Sequence, residues 1–136
     1  MKDKKQILIV DDDVDALEQA ALIVRSDVYD IHTAQGETEA EELMLSFVPD
    51  LAIVDLMMEH KDSGFILTHS IKKLYPGTPV IILTSVKAAT GLDFTPRDAE
   101  AASWVNADAI LDKPVRPEQL RTEIKRLLAG KAKSKG

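Results

Sequence analysis

The stretch ILIVDDDVD, residues 7–15, sets four apolar residues directly in front of three aspartates. Adjacent carboxylates repel one another, and a buried carboxylate is costly unless something pairs with it. Asp13 suits the cap of a following helix, which leaves Asp11 and Asp12 to be explained. A further carboxylate, Asp55, follows the apolar run LAIV, and two hydroxyls, Thr84 and Ser85, follow VIIL. Lys113 and Pro114 come just after a fourth apolar segment, AIL. Three carboxylates converging on one point call for a cation. Ligands that are all oxygen select a hard divalent ion, so Mg2+ is the natural candidate, with water completing its octahedron. A carboxylate beside Mg2+ and an ammonium group is suited to attack a phosphoryl group, with metal and lysine stabilising the transferring oxygens. Lys113 would neutralise the remaining charge, and Thr84 would hydrogen-bond the phosphoryl group once attached. Singly, each residue has a plainer explanation: a turn for Lys-Pro, a strand end for Thr84, a helix cap for Asp55. It is their combination, each at its own strand end, that points to chemistry.

Positioning them requires particular elements. Residues 6–10, 51–54 and 80–83 read as buried strands, because none alternates polar with apolar residues, as parallel strands covered on both faces do not. Residues 29–34 form a weaker strand and 109–111 a short one. Helical spacing predicts helices over 14–26, 37–47 and 64–74, with Leu17, Ala20, Ala21 and Val24 marking the core face of the first. Helices are also expected at 97–105 and at 117–128, the latter opened by Pro117 and closed by Gly130. Strand–helix repeated five times predicts an α/β fold, a doubly wound parallel sheet with right-handed crossovers. Ligands bind such sheets at the carboxyl ends of the strands. Asp11, Asp12, Asp55, Thr84 and Lys113 all fall there.

The 136 residues make one ordinary domain, 45% hydrophobic and only 4% aromatic. A net charge of −6, from 17 basic and 23 acidic residues, argues against direct nucleic-acid binding, which wants a basic face. The absence of cysteine excludes disulfides and thiolate metal sites and fits a cytoplasmic location. No apolar run approaches the length of a signal peptide or a membrane span. The division expected is a folded domain over 1–129 and a frayed basic tail, GKAKSKG, over 130–136.

With these residues in hand, the chain resembles the response-regulator receiver domain, CheY-like, of two-component signalling, from about Lys5 to Leu128. ILIVDDD is similar to the receiver's acidic-pair strand, DLAIVDLMM to its phosphoacceptor segment, VIILTS to its switch-hydroxyl strand, and LDKPV to its lysine turn. The resemblance implies a flavodoxin-like (βα)5 sheet of strand order 2-1-3-4-5. It implies Asp55 as phosphoacceptor, with Asp12, Asp55 and the backbone carbonyl of Met57 binding Mg2+ directly and Asp11 acting mainly through water. It further implies a sensor histidine kinase or phosphotransfer protein as donor and a downstream partner. Such a domain is not a turnover enzyme; it catalyses only its own phosphorylation and dephosphorylation.

Three features depart from the family pattern. The loop after Met58 reads EHKDSG, longer than usual and without the customary proline, with His60 in it. The stretch from Thr84 to Lys113 is also longer, with the extra residues over 86–98, where Leu92 and Phe94 offer a phosphorylation-sensitive surface. Ile110 stands where the family carries an aromatic switch residue, three before the lysine. Two other readings compete. ILIVDDDVD is also similar to the first motif of haloacid-dehalogenase-type phosphatases, with Asp11 as nucleophile and Asp13 as acid, but that family needs a late acidic pair that NADAILDKP does not supply. A flavodoxin-like flavin site fails on charge, since three aspartates would repel the flavin phosphate where backbone N–H donors are wanted.

Overall fold

The structure is a computed structural model and describes residues 4–55, 63–84, 108–112 and 116–135. The elements run β1 (Lys5–Val10), α1 (Val14–Val24), β2 (Tyr29–Ala34), α2 (Glu37–Leu43), β3 (Leu51–Asp55), α3 (Ser63–Leu74), β4 (Val80–Thr84), β5 (Ala109–Asp112) and α4 (Pro117–Lys135). The strands form one parallel sheet in the order β2-β1-β3-β4-β5, as the resemblance implies. The helix expected at 97–105 and the 86–98 segment lie outside the described residues.

Side chains alternate across a strand, so each buried strand feeds two cores. Ile7 and Ile9, Leu51 and Ile53, and Ile81 and Leu83 point to one face, where Leu17, Ala20 and Val24 of α1 and Leu120 and Ile124 of α4 cover them. Leu8 and Val10, Ala52 and Val54, and Val80 and Ile82 point to the other, under Ala40 of α2 and Leu67 and Ile71 of α3. Ile110 is half-buried against this second core.

Three helices end elsewhere than their spacing predicts. α1 stops at Val24 instead of residue 26, because Ser26 turns the chain: its Oγ accepts from the Val28 N–H and its carbonyl from the Tyr29 N–H. α2 stops at Leu43 instead of residue 47. The N–H groups of Leu45 and Ser46 turn back to the carbonyls three residues earlier, and Phe47 leaves the helix to stack on His32 of β2, ring centroids 3.9 Å apart. α4 runs through Gly130 to Lys135, so residues 130–135, expected to fray, are helical. A glycine inside a helix costs only about 1 kcal/mol relative to alanine.

The amino-terminal edge of the sheet is held by side chains serving as backbone partners. Asp50 Oδ2 accepts from the Gln6 N–H at 2.7 Å, and Thr78 Oγ1 donates to the Pro49 carbonyl at 2.8 Å. Asp108 Oδ2 accepts from the Val80 N–H at 2.8 Å and from Lys72 Nζ at 2.7 Å, tying α3 to the start of β4 and β5. Asp108→Ala is expected to destabilise the protein by about 1–3 kcal/mol, since it strands a backbone donor and a charge. Asp108→Asn, which keeps an acceptor, should cost less. The urea midpoints of the two variants check this order, and equal midpoints would refute it.

Candidate functional site

The carboxyl edge of the sheet is built differently: its strands end on acids. Val10 and Val54 are register partners in β1 and β3, so the next residues, Asp11 and Asp55, emerge side by side on neighbouring strands. Strands lie about 4.8 Å apart, which sets how closely these carboxyls approach. The Asp11 backbone N–H continues the ladder onto the Ala34 carbonyl at 3.1 Å, which fixes where its side chain leaves the sheet. Asp11 and Asp55 are buried, at 4% and 5% exposure, while Asp12 faces solvent.

Carboxylate oxygens of Asp11, Asp12 and Asp55 lie within 4.8 Å of one another, the convergence their spacing in sequence predicts. The donor set fits a hard divalent cation. It is all oxygen, carries three formal negative charges, and has one exposed member through which water completes a coordination shell. Among the described residues, no histidine or cysteine belongs to the cluster.

Asp13 behaves as a structural residue. Its Oδ1 accepts from the N–H groups of Asp15 and Ala16 at 3.0 and 3.4 Å and so caps α1. Sequence reading missed one of its contacts: the Asp13 N–H donates to Asp11 Oδ1 at 3.0 Å, orienting that carboxylate. The signal was present, because an aspartate followed two residues on by a free N–H is the pattern of an Asx turn. This arrangement also counts against Asp13 as the acid of a phosphatase, since its carboxylate is engaged by the helix.

Thr84 closes β4 one register step beyond Leu83, the partner of Asp55, and pairs with Asp112 at the end of β5. Its backbone therefore stands at the same edge as the acids. Lys113 follows Asp112 directly in the sequence; Lys113, Pro114, Met57, His60, Ser85, Leu92 and Phe94 lie outside the described residues. Among the described residues, no helix is long and apolar enough to cross a membrane.

Comparison with known proteins agrees with this architecture. The profile of the response regulator receiver domain matches residues 7–125. The chain is 35% identical over 114 residues to the transcriptional regulatory protein GlrR of Escherichia coli (strain K12), covering 84% of this chain and 24% of that protein. It is 32% identical over 123 residues to the heme response regulator HssR of Staphylococcus aureus (strain JH9), covering 90% of this chain and 51% of that one. It thus spans between a quarter and a half of these curated relatives. Among solved structures, the response regulator receiver domain protein (CheY-like) from Methanospirillum hungatei JF-1 superposes with a TM-score of 0.83 at 27% identity, over 96% of this chain and 98% of that one. These similarities favour the receiver reading over the phosphatase one.

Proposed function

The chain belongs to the response regulator receiver domain family of two-component signalling, and on that premise we propose that Asp55 is the residue that accepts its phosphoryl group. The observation behind this assignment is the meeting of three carboxylates, from the ends of two neighbouring strands, within 4.8 Å. An Asp55 oxygen attacks phosphorus, an O–P bond forms, and the P–N bond to the donor's imidazole breaks. Asp11 and Asp12 flank the incoming group, and Asp11 is held in orientation by the Asp13 N–H. Asp12, Asp55 and the Met57 carbonyl would hold Mg2+ directly, with Asp11 acting through water, and the ion would supply positive charge that offsets the developing negative charge. Lys113 would pair with the same oxygens, and the Thr84 hydroxyl would donate to the attached group. Water then attacks phosphorus, the Asp55 O–P bond breaks, and inorganic phosphate leaves as Asp55 returns to its carboxylate, so the domain catalyses only its own phosphorylation and dephosphorylation.

The reading carries with it a cytoplasmic setting, a sensor histidine kinase or phosphotransfer protein as donor, and a downstream partner that senses the charge at Asp55. With its acidic balance, this stretch is assigned no nucleic-acid contact of its own. The receiver unit is taken as residues 1–129, since Leu127 and Leu128 of α4 still pack on the core.

Incubation with acetyl phosphate and Mg2+, borohydride trapping and peptide mapping should place the label on Asp55. Asp55→Asn should abolish it. Label on Asp11, or undiminished labelling of Asp55→Asn, would overturn the assignment.

A further inference from the structure

β2 is an edge strand: it pairs with β1 alone, and its other side carries no strand among the described residues. An open edge of this kind is a template for pairing unless something covers it. Beside it runs a shallow groove lined by Glu18, Ala21, Leu22 and Arg25 of α1 and its C-cap and by Ile31 and Thr33 of β2. Its apolar centre is turned to solvent, since Leu22 is 65% exposed.

The charges of this groove have a particular symmetry. Residues 18, 22 and 25 follow i, i+4, i+7 spacing and so share one stripe of α1. Glu18 and Arg25 carry opposite charge, and the point midway between them falls between Ala21 and Leu22. Neither side chain is in an ion pair among the described residues. A two-fold axis through that midpoint would bring Glu18 onto Arg25 of a second copy and Arg25 onto its Glu18. Ala21 would face Leu22, a small residue opposite a large one. A closed two-fold interface must be self-complementary in this way.

We propose that the α1/β2 edge is a homodimerisation surface, in which two copies of this chain pack α1 antiparallel to α1 across the open sheet edge. The charges argue for a second copy over an unrelated partner, because a stripe that complements its own inversion needs no other surface. Exposed ion pairs add little affinity, so the two Glu18–Arg25 contacts set the register and Leu22 supplies the contact area. One helix face and a strand edge make an interface at the small end of the specific range, so the dimer is weak and depends on concentration.

Sedimentation velocity of the 136-residue chain over a concentration series tests this through charge exchange. Glu18→Arg and Arg25→Glu should each weaken the dimer about tenfold or more, since each places like charges in contact twice. An equimolar mixture of the two variants should dimerise again, because unlike charges then meet at both contacts. The double variant Glu18→Arg/Arg25→Glu should also recover, with the pair reversed. Leu22→Asp should give monomer. Far-UV circular dichroism confirms that each variant folds. A wild-type chain that stays monomeric throughout, a dimer indifferent to these changes, or single variants that fail to recover on mixing would overturn the proposal.

Discussion

Chelating Mg2+ is expected to stop phosphoryl transfer from acetyl phosphate, and Asp12→Asn to slow it about a hundredfold while making the metal-free protein more stable. The two effects have one origin. Asp11, Asp12 and Asp55 hold carboxylate oxygens within 4.8 Å of one another, so without a cation the folded state bears a repulsion that the unfolded chain relieves. Unit charges at that separation interact by about 1 kcal/mol in water and about 4 kcal/mol near a protein surface. Asp12 is the exposed member, so removing its charge should stabilise the metal-free protein by about 1 kcal/mol, a shift of a few degrees in thermal midpoint. Asn keeps the shape and an acceptor. The substitution also spares the bonds that shape the turn, which belong to Asp11 and Asp13. Mg2+ would bind only the folded site, so it should raise the wild-type midpoint by mass action and raise that of Asp12→Asn less. Thermal melts in EDTA and in a Mg2+ series, with labelling under the same conditions, check both halves. Undiminished labelling in EDTA, or an Asp12→Asn variant that melts below wild type without metal, would refute the shared origin.

Much of this site was legible in the sequence because a parallel sheet converts strand ends into neighbours. Once residues 6–10 and 51–54 are read as adjacent parallel strands, Asp11 and Asp55 have to meet, whatever the helices do. Helix ends were harder to read. Phe47 keeps the apolar period of α2, yet it is half-buried by stacking on His32 from a turn; periodicity registers that a residue packs inward but not which element carries it there. Gly130 shows the reverse. Its usual place after a helix is a preference worth about 1 kcal/mol, and it sits within α4. The double duty of Asp13, capping with its side chain and orienting Asp11 with its N–H, was only half read, because the cap alone accounted for the residue type. Ile110 was read as a departure from the family's aromatic position. Its half-buried place against the second core gives it a packing role there.

Ile53→Ala should be the most destabilising single change, costing about 2–5 kcal/mol of the 5–15 kcal/mol that holds a domain of this kind. β3 is the middle strand of five, and Ile53 is its centre, fully buried with Ile9 and Ile81 as register partners on either side. Truncation leaves a cavity walled by two strands and by the α1 and α4 face, none of which is free to collapse into it. Ile53→Val, which removes one methyl, should cost about 0.5–1.5 kcal/mol. Leu45→Ala, at a position 87% exposed, should stay within about 0.5 kcal/mol of wild type. Urea unfolding reads the series, with an unchanged slope showing that the unfolded state is not what moved. The site supplies an internal control. Asp55 lies two residues beyond Ile53 on the same strand, and the hydrogen bonds of β3 to β1 and β4 fix its position independently of the Ile53 side chain. Saturating Mg2+ should therefore add as much stability to Ile53→Ala as to wild type. A loss below 1 kcal/mol would contradict the central placement of β3. Failure of Mg2+ to stabilise the truncated protein would mean that the packing of this face, and not the strand ladder alone, holds Asp55 beside Asp11.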